Sequence, residues 1–198
     1  MKDKDRILEI AGRLGVTTAA DVEALGISRN HLYELCKAGK IERTARGLYR
    51  IPGALSTEHG ALIEVAKRVP KGVICLLSAL RFHDLTTQIP HEVWVTVPRG
   101  SWRPQMDYPP LNLTYVSGES YAFGIREHMV QGIAIKVYTP AKTVADCFKF
   151  RNKVGLDVAI EALREVWRSR LASMDELTEA ANVCRVFTVM RPYLEATV

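Results

Sequence analysis

Residues 16–51, VTTAADVEALGISRNHLYELCKAGKIERTARGLYRI, decide how the N-terminal part of this chain is read. Thr18 stands three positions before Asp21, the capping-box spacing, and opens a short helix with Val22 and Leu25 facing inward. Gly26 takes the left-handed conformation that ends it. Ser28 caps a second helix, SRNHLYELCKA, which Gly39 closes. On that helix Leu32, Leu35 and Cys36 share one face, and Arg29, Asn30, Tyr33 and Lys37 share the other. Two short helices joined by a glycine-containing turn make a helix-turn-helix unit. Ile41 to Thr44, a turn at Ala45-Arg46-Gly47, and Leu48 to Ile51 read as a hairpin. A hairpin directly after the second helix predicts a winged helix-turn-helix.

The polar face of the second helix suits duplex DNA. At ~1.5 Å per residue the helix is roughly 15 Å long, a size that a major groove about 12 Å wide accepts. Ser28, Arg29 and Asn30 sit in its first turn. The planar donor and acceptor groups of Arg29 and Asn30 match guanine and adenine edges. Lys37, Lys40, Arg43, Arg46 and Arg50 suit phosphates, with Arg46 at the wing tip; Tyr33 completes the face. An amphipathic helix with a merely solvated basic face is the bland alternative. Capping, glycine spacing and a basic wing agree, and agreement across levels favours DNA.

The chain has 198 residues and a formal net charge of +5, enough length for two small cores and a modest basic excess. No apolar run precedes the first helix and no stretch approaches the ~18 apolar residues of a membrane span. A soluble cytoplasmic protein with no membrane partner is expected. The four cysteines at 36, 75, 147 and 184 show no CxxC pair and no metal-ligand spacing, as reduced buried thiols would.

Outside the opening stretch, residues 4–14 form a first helix with Ile7, Ala11 and Leu14 inward and Ile10 assisting, ended by Gly15. Pro52-Gly53 marks the end of the winged domain, 1–53, and the start of a second domain, 54–198. Thr57 caps a helix from Glu58 to Val69. Residues 73–83, VICLLSALRFH, are a buried helix, with a strand start as the alternative. Glu92–Val97, Leu111–Val116, Glu127–Val130 and Ile133–Tyr138 have strand character, the last two joined by a tight turn at Gln131-Gly132. Thr139-Pro140 restarts helix to about Arg151. Gly155 precedes a longer helix, Leu156–Arg168, and Ser173 with Glu176 opens another. The expected class is α+β: a winged unit, then helices around a small, mostly antiparallel sheet.

The chain resembles the AbiEi-type antitoxins of bacterial abortive-infection (type IV) toxin–antitoxin systems over nearly its whole length. The resemblance is carried by GKIERTARGLYRIP, CLLSALRFHDL, EVWVTVPRG, TPAKTVADCFKFRNKVG and the RVFTVMRPYLE tail. TPAKTVAD after a β-hairpin is the more specific part, since many bacterial regulators share a winged start. The resemblance implies a domain that binds and represses its own operon promoter. It also implies an antitoxin domain that counters a co-encoded nucleotidyltransferase-like toxin in phage defence. The alternative is a winged-helix regulator whose C-terminal domain senses a ligand or dimerises, with no toxin partner.

Enzyme chemistry fails on its parts. Gly100-Ser101 lacks the paired carboxylates that a nucleotidyltransferase needs for magnesium, only Asp107 following. Asp84 and Glu92 lack the Glu-x-Lys of a metal-dependent nuclease. His83 and His91 lack a third ligand, and Ser78 and Ser101 lack a Gly-x-Ser-x-Gly setting. No catalytic residue, metal or cofactor is expected. Asp146 reads as tying a half-buried helix to a neighbour through an ion pair or a backbone amide, with a place beside Arg151 on a partner surface as the alternative. Lys142, Lys149, Arg151 and Lys153 are the candidate partner surface, joined by Arg164, Arg168 and Arg170.

Overall fold

The computed structural model describes residues 3–45, 47–52, 59–106 and 108–197. Helix α1 (Asp3–Leu14) carries acids in its first turn and Arg13 in its last, as the helix dipole favours. Ile7 and Ala11 are buried, and Gly15 follows with φ +68°. A two-residue strand β1 (Thr17–Thr18) leads into α2 (Ala19–Glu23). The capping box is complete: the Thr18 amide donates to Asp21 Oδ2 at 2.7 Å, and the Asp21 amide donates to Thr18 Oγ1 at 3.1 Å. Gly26, at φ +73°, ends this turn as a Schellman motif, with the Ile27 amide donating to Val22 O at 3.2 Å. Val22 and Ile27 are both buried. Leu25, expected inward, is exposed, because α2 stops before reaching it.

Helix α3 (Asn30–Lys37) closes in the same way, the Lys40 amide donating to Leu35 O and the Gly39 amide to Cys36 O, both at 3.0 Å. The hairpin follows as β2 (Glu42–Ala45) and β3 (Leu48–Arg50), antiparallel, with a bulge between Arg43 and Ala45. Strand β1 adds to the other edge of β3, giving a small antiparallel sheet in the order β1-β3-β2. Ile7, Val22, Ile27, Leu32, Leu35, Ile41 and Tyr49 form one core cluster. Full burial of a side chain such as Leu32 contributes roughly 1.5–3 kcal/mol. Helix α4 (Gly60–Arg68) joins the same compact unit, which comprises Met1–Val69, Pro104–Pro110 and His128–Ile135. Its Lys67 donates to Asp21 Oδ2 at 2.6 Å and to Val16 O at 2.9 Å. The expected boundary after residue 53, the Thr57 cap, the side chain of Leu14 and the wing-tip Arg46 lie outside what is described.

The second unit comprises Pro70–Arg103, Leu111–Glu127 and Lys136–Val198. The apolar run at 73–83 divides into strand β4 (Val73–Ile74) and helix α5 (Leu76–Phe82), so both readings of it hold in part. Strands β5 (Val93–Pro98) and β6 (Leu111–Val116) follow, then the short α6 (Glu119–Ala122), β7 (Ile125–Val130) and β8 (Ile133–Tyr138). The five-stranded sheet runs β6-β5-β4-β8-β7. It is mixed, which corrects the expectation of a mostly antiparallel sheet. β5 pairs β6 in parallel, as β4 pairs β8, while β4 and β5 are antiparallel. The proline-rich 99–110 loop acts as a crossover that brings β6 back in the direction of β5.

The remaining helices pack on this framework. Thr139 caps α7 (Pro140–Lys149), its hydroxyl taking the Lys142 amide. A short α8 (Arg151–Val154) breaks from it at Phe150, and Gly155, at φ +96°, separates α9 (Leu156–Arg168). Ser173 and Glu176 form the second complete capping box at the start of α10 (Met174–Val183), and α11 (Phe187–Glu195) ends the chain's regular structure. The core collects Leu80, Val144, Phe148, Leu163, Val166, Leu177 and Met190, all but fully buried. No helix among the described residues is long and apolar enough to cross a membrane.

Candidate nucleic-acid interface

Helix α3 has two faces with different tasks. Leu32 and Leu35 are buried in the core. Arg29, Asn30, Tyr33 and Lys37 are exposed together on the opposite side, Tyr33 at 56% of its surface. Ser28 Oγ accepts the Asn30 amide at 3.3 Å, so it supports the first turn, although regular helix starts one residue after Arg29. The regular helix is 8 residues, about 12 Å, shorter than the sequence reading.

The face is oriented by contacts that the sequence does not advertise. Glu34 takes Lys4 of α1 at 3.0 Å and His31 at 3.1 Å. The hydrogen bond from Lys4, then that from His31, holds the Glu34 carboxyl below its ordinary value. These groups are half exposed, so their energetic worth is small, but they occupy the one acid on the helix. The remaining charge that α3 offers to solvent is therefore positive. Tyr49 on β3 is buried and its phenol is raised by burial, with Tyr33 adding to the effect.

From the end of α3 through the hairpin, the cations are placed unevenly. Lys37, Lys40 and Arg43 are exposed. Arg50 instead bonds Glu42 across the hairpin at 2.5 Å, where the two residues are register partners, and is only partly exposed. A cross-strand pair can be seen in sequence only once the register is known.

The candidate basic set of the second unit also separates. Lys142 has no exposed surface, so it does not join a partner surface. Its ammonium bonds Asp146 Oδ2 at 2.5 Å, one helical turn on, and lies 4.1 Å from the centroid of the Tyr138 ring. Cys184 donates its thiol to the other carboxylate oxygen at 3.5 Å. Burial pushes the Asp146 carboxyl up, and Lys142 opposes it. Burial likewise pushes the thiols of Cys75 and Cys184 up to about 12, so neither is a nucleophile. Lys149 and Arg151 are half-buried, Arg151 donating to Phe148 O at 3.0 Å; Lys153 is exposed, as are Arg164, Arg168 and Arg170.

Three of the residues weighed for enzyme chemistry, Ser78, His83 and Glu92, have structural employment. Ser78 Oγ accepts the Trp94 amide at 2.9 Å. His83 Nε2 lies 2.7 Å from Tyr138 O, and Glu92 accepts from Asn112 at 3.0 Å. Among the described residues, no group of three His, Cys, Asp or Glu side chains is placed to hold a metal ion.

The fold is similar to that in the crystal structure of the RV2827C protein from Mycobacterium tuberculosis. The TM-score is 0.62 at 12% sequence identity, over 98% of this chain and 80% of that one. At that identity the likeness concerns the fold. No curated protein matches the chain. The α1-to-β3 segment that presents the exposed face of α3 is, over residues 5–52, a match to the family described as transcriptional regulator, AbiEi antitoxin.

Proposed function

We propose that this chain is an antitoxin that also represses its own operon, with the first unit acting as a winged helix-turn-helix on duplex DNA. The observation that carries the reading is the exposed set Arg29, Asn30, Tyr33 and Lys37 on one side of a helix anchored by Leu32 and Leu35. The family match over residues 5–52 supports it. In this reading α3 enters the major groove. Arg29 and Asn30 reach base edges, while Lys37, Lys40, Arg43 and Arg46 meet phosphates. The second unit, through a basic face at Lys149, Arg151 and Lys153, counters a co-encoded nucleotidyltransferase-like toxin.

The test is binding to the chain's own promoter fragment against random duplex over a range of salt. Arg29→Ala or Asn30→Ala should cost ~1–3 kcal/mol at particular base pairs and relax specificity there. Arg43→Ala should weaken binding to every sequence and flatten the salt dependence, because each lost phosphate contact releases fewer counterions. A wild-type protein that shifts its promoter no better than random duplex at moderate salt would overturn the operator reading.

A further inference from the structure

The second unit holds a cleft of about 490 Å³ that shares only Lys149 with the basic face proposed to meet the toxin. It opens where the parallel strands β5 and β6 end level, Pro98 opposite Val116. Arg99 continues from β5, its amide donating to Val116 O at 2.9 Å, which fixes the start of its side chain at the cleft mouth. Lys149 comes from the end of α7 and Arg185 from the turn after α10, so three cations from three elements line one opening. Glu119 is the one acid in the lining; behind it, Lys149 also acts on the buried Asp146 carboxylate, which Lys142 already pairs. Tyr115, 38% exposed, and Phe150 supply aromatic walls, and Asn182 supplies an amide.

Charge balance favours an anion. The ends of α7 and α10 contribute about half a negative charge apiece. With Glu119 they fall short of the three cations. Arg185 sits at φ +57°, a position usually given to glycine, and its amide closes the turn onto Asn182 O at 2.9 Å. The backbone there is held in a costly conformation while presenting a cation to the cleft. In open sheets, the carboxyl ends of parallel strands are where ligand crevices form.

We propose that this cleft binds a nucleoside triphosphate. Arg99, Arg185 and Lys149 hold the phosphates, the exposed ring of Tyr115 stacks on the base, and Asn182 meets its polar edge. The assignment needs neither the operator nor the toxin. It gives the second unit a ligand to sense, which is the role that the alternative regulator reading leaves open.

The test is calorimetric titration of the full chain with ATP and GTP, beside inorganic triphosphate and adenosine as probes of the two halves of the ligand. Saturable binding of a nucleotide is expected, stronger than that of triphosphate, with adenosine weaker still. Arg99→Ala and Arg185→Ala should each weaken it about tenfold, as loss of a charge-assisted contact does. Tyr115→Ala should weaken the nucleotide and leave triphosphate unchanged. Arg99 and Arg185 are exposed, so their variants should keep the wild-type melting curve, which is measured alongside. Absence of binding at millimolar nucleotide, affinity indifferent to both arginine substitutions, or triphosphate binding as tightly as ATP and GTP would each overturn the proposal.

Discussion

Lys142 and Asp146 show what burial does to a charge. Both are essentially without exposed surface, and bringing an ion into such surroundings costs several kcal/mol. Three contacts offset that cost here: the 2.5 Å pair itself, the Tyr138 ring under the ammonium, and the Cys184 thiol at the second carboxylate oxygen. Gly124 belongs to the same arrangement, since a Cβ there would stand 2.7 Å from Lys142 Cβ, and its φ is +72°. The pair is thus a packing element of α7, and its two halves depend on each other. Asp146→Asn or Lys142→Ala alone should destabilise the chain by ~3–5 kcal/mol, because either leaves an uncompensated buried charge. Lys142→Met combined with Asp146→Leu should recover most of that loss. Urea midpoints at constant slope measure both. A double variant as unstable as the sum of the singles would mean that the two side chains act independently. The sequence offered Asp146 an ion pair or a backbone amide on a neighbouring element, but its partner is Lys142 of the same helix, a residue the sequence set on the surface. Spacing of four residues shows that two groups can meet, but not which way the shared face turns.

At the scale of elements, what was legible is what local chemistry determines. The Thr18/Asp21 and Ser173/Glu176 boxes, the closures at Gly26 and Gly39, and the Gln131-Gly132 turn, both residues at positive φ, follow from residues within a few positions of each other. Strand β1 escaped because two residues have no period, β4 was read only as the alternative start of a helix for the same reason, and the β5–β6 direction escaped because it depends on the path of a loop. The attachment of α4 escaped for a related reason: Lys67 reaches Asp21 from 46 positions away. This contact makes Asp21 both a cap and an anchor. Burial pushes its carboxyl up, but Lys67 and the Thr18 amide outweigh that and leave it below the ordinary value. A depressed carboxylate contributes stability above its unfolded pKa of about 4, and that contribution is lost as pH falls through the folded value. Asp21→Asn should therefore cost about 1–2 kcal/mol at pH 7 and flatten the acid limb of the stability profile below about pH 4. Lys67→Met should do the same. Melting curves from pH 2 to 7 decide it; an unchanged acid limb in both variants would remove Asp21 from the linkage.

For the whole molecule, sites differ in how far the chain must travel to assemble them. The α3 face lies within residues 28–37 and was legible from amphipathic spacing alone. The cationic cleft draws on residues 99, 115, 149 and 185, and no spacing rule joins those positions. Only the crossover that makes β5 and β6 parallel brings their ends level. The face proposed to read DNA is thus confined to one compact unit, and the basic face proposed to meet the toxin is confined to the other. We expect the two tasks to separate genetically. Arg29→Ala with Lys37→Ala, exposed at the two ends of α3, should abolish repression of the promoter yet still rescue growth against the co-encoded toxin. Lys149→Glu with Lys153→Glu should leave promoter binding intact and impair rescue. Lys153→Glu alone, outside the cleft, distinguishes a partner surface from a loss of ligand at Lys149. Both genes must be expressed from foreign promoters, because derepression would otherwise change the dose of each protein. At equal protein levels, loss of rescue in the α3 double variant would mean that neutralisation runs through the operator or a shared surface. Full rescue by both charge reversals would return Lys149 and Lys153 to solvated charge and move the toxin-facing surface elsewhere.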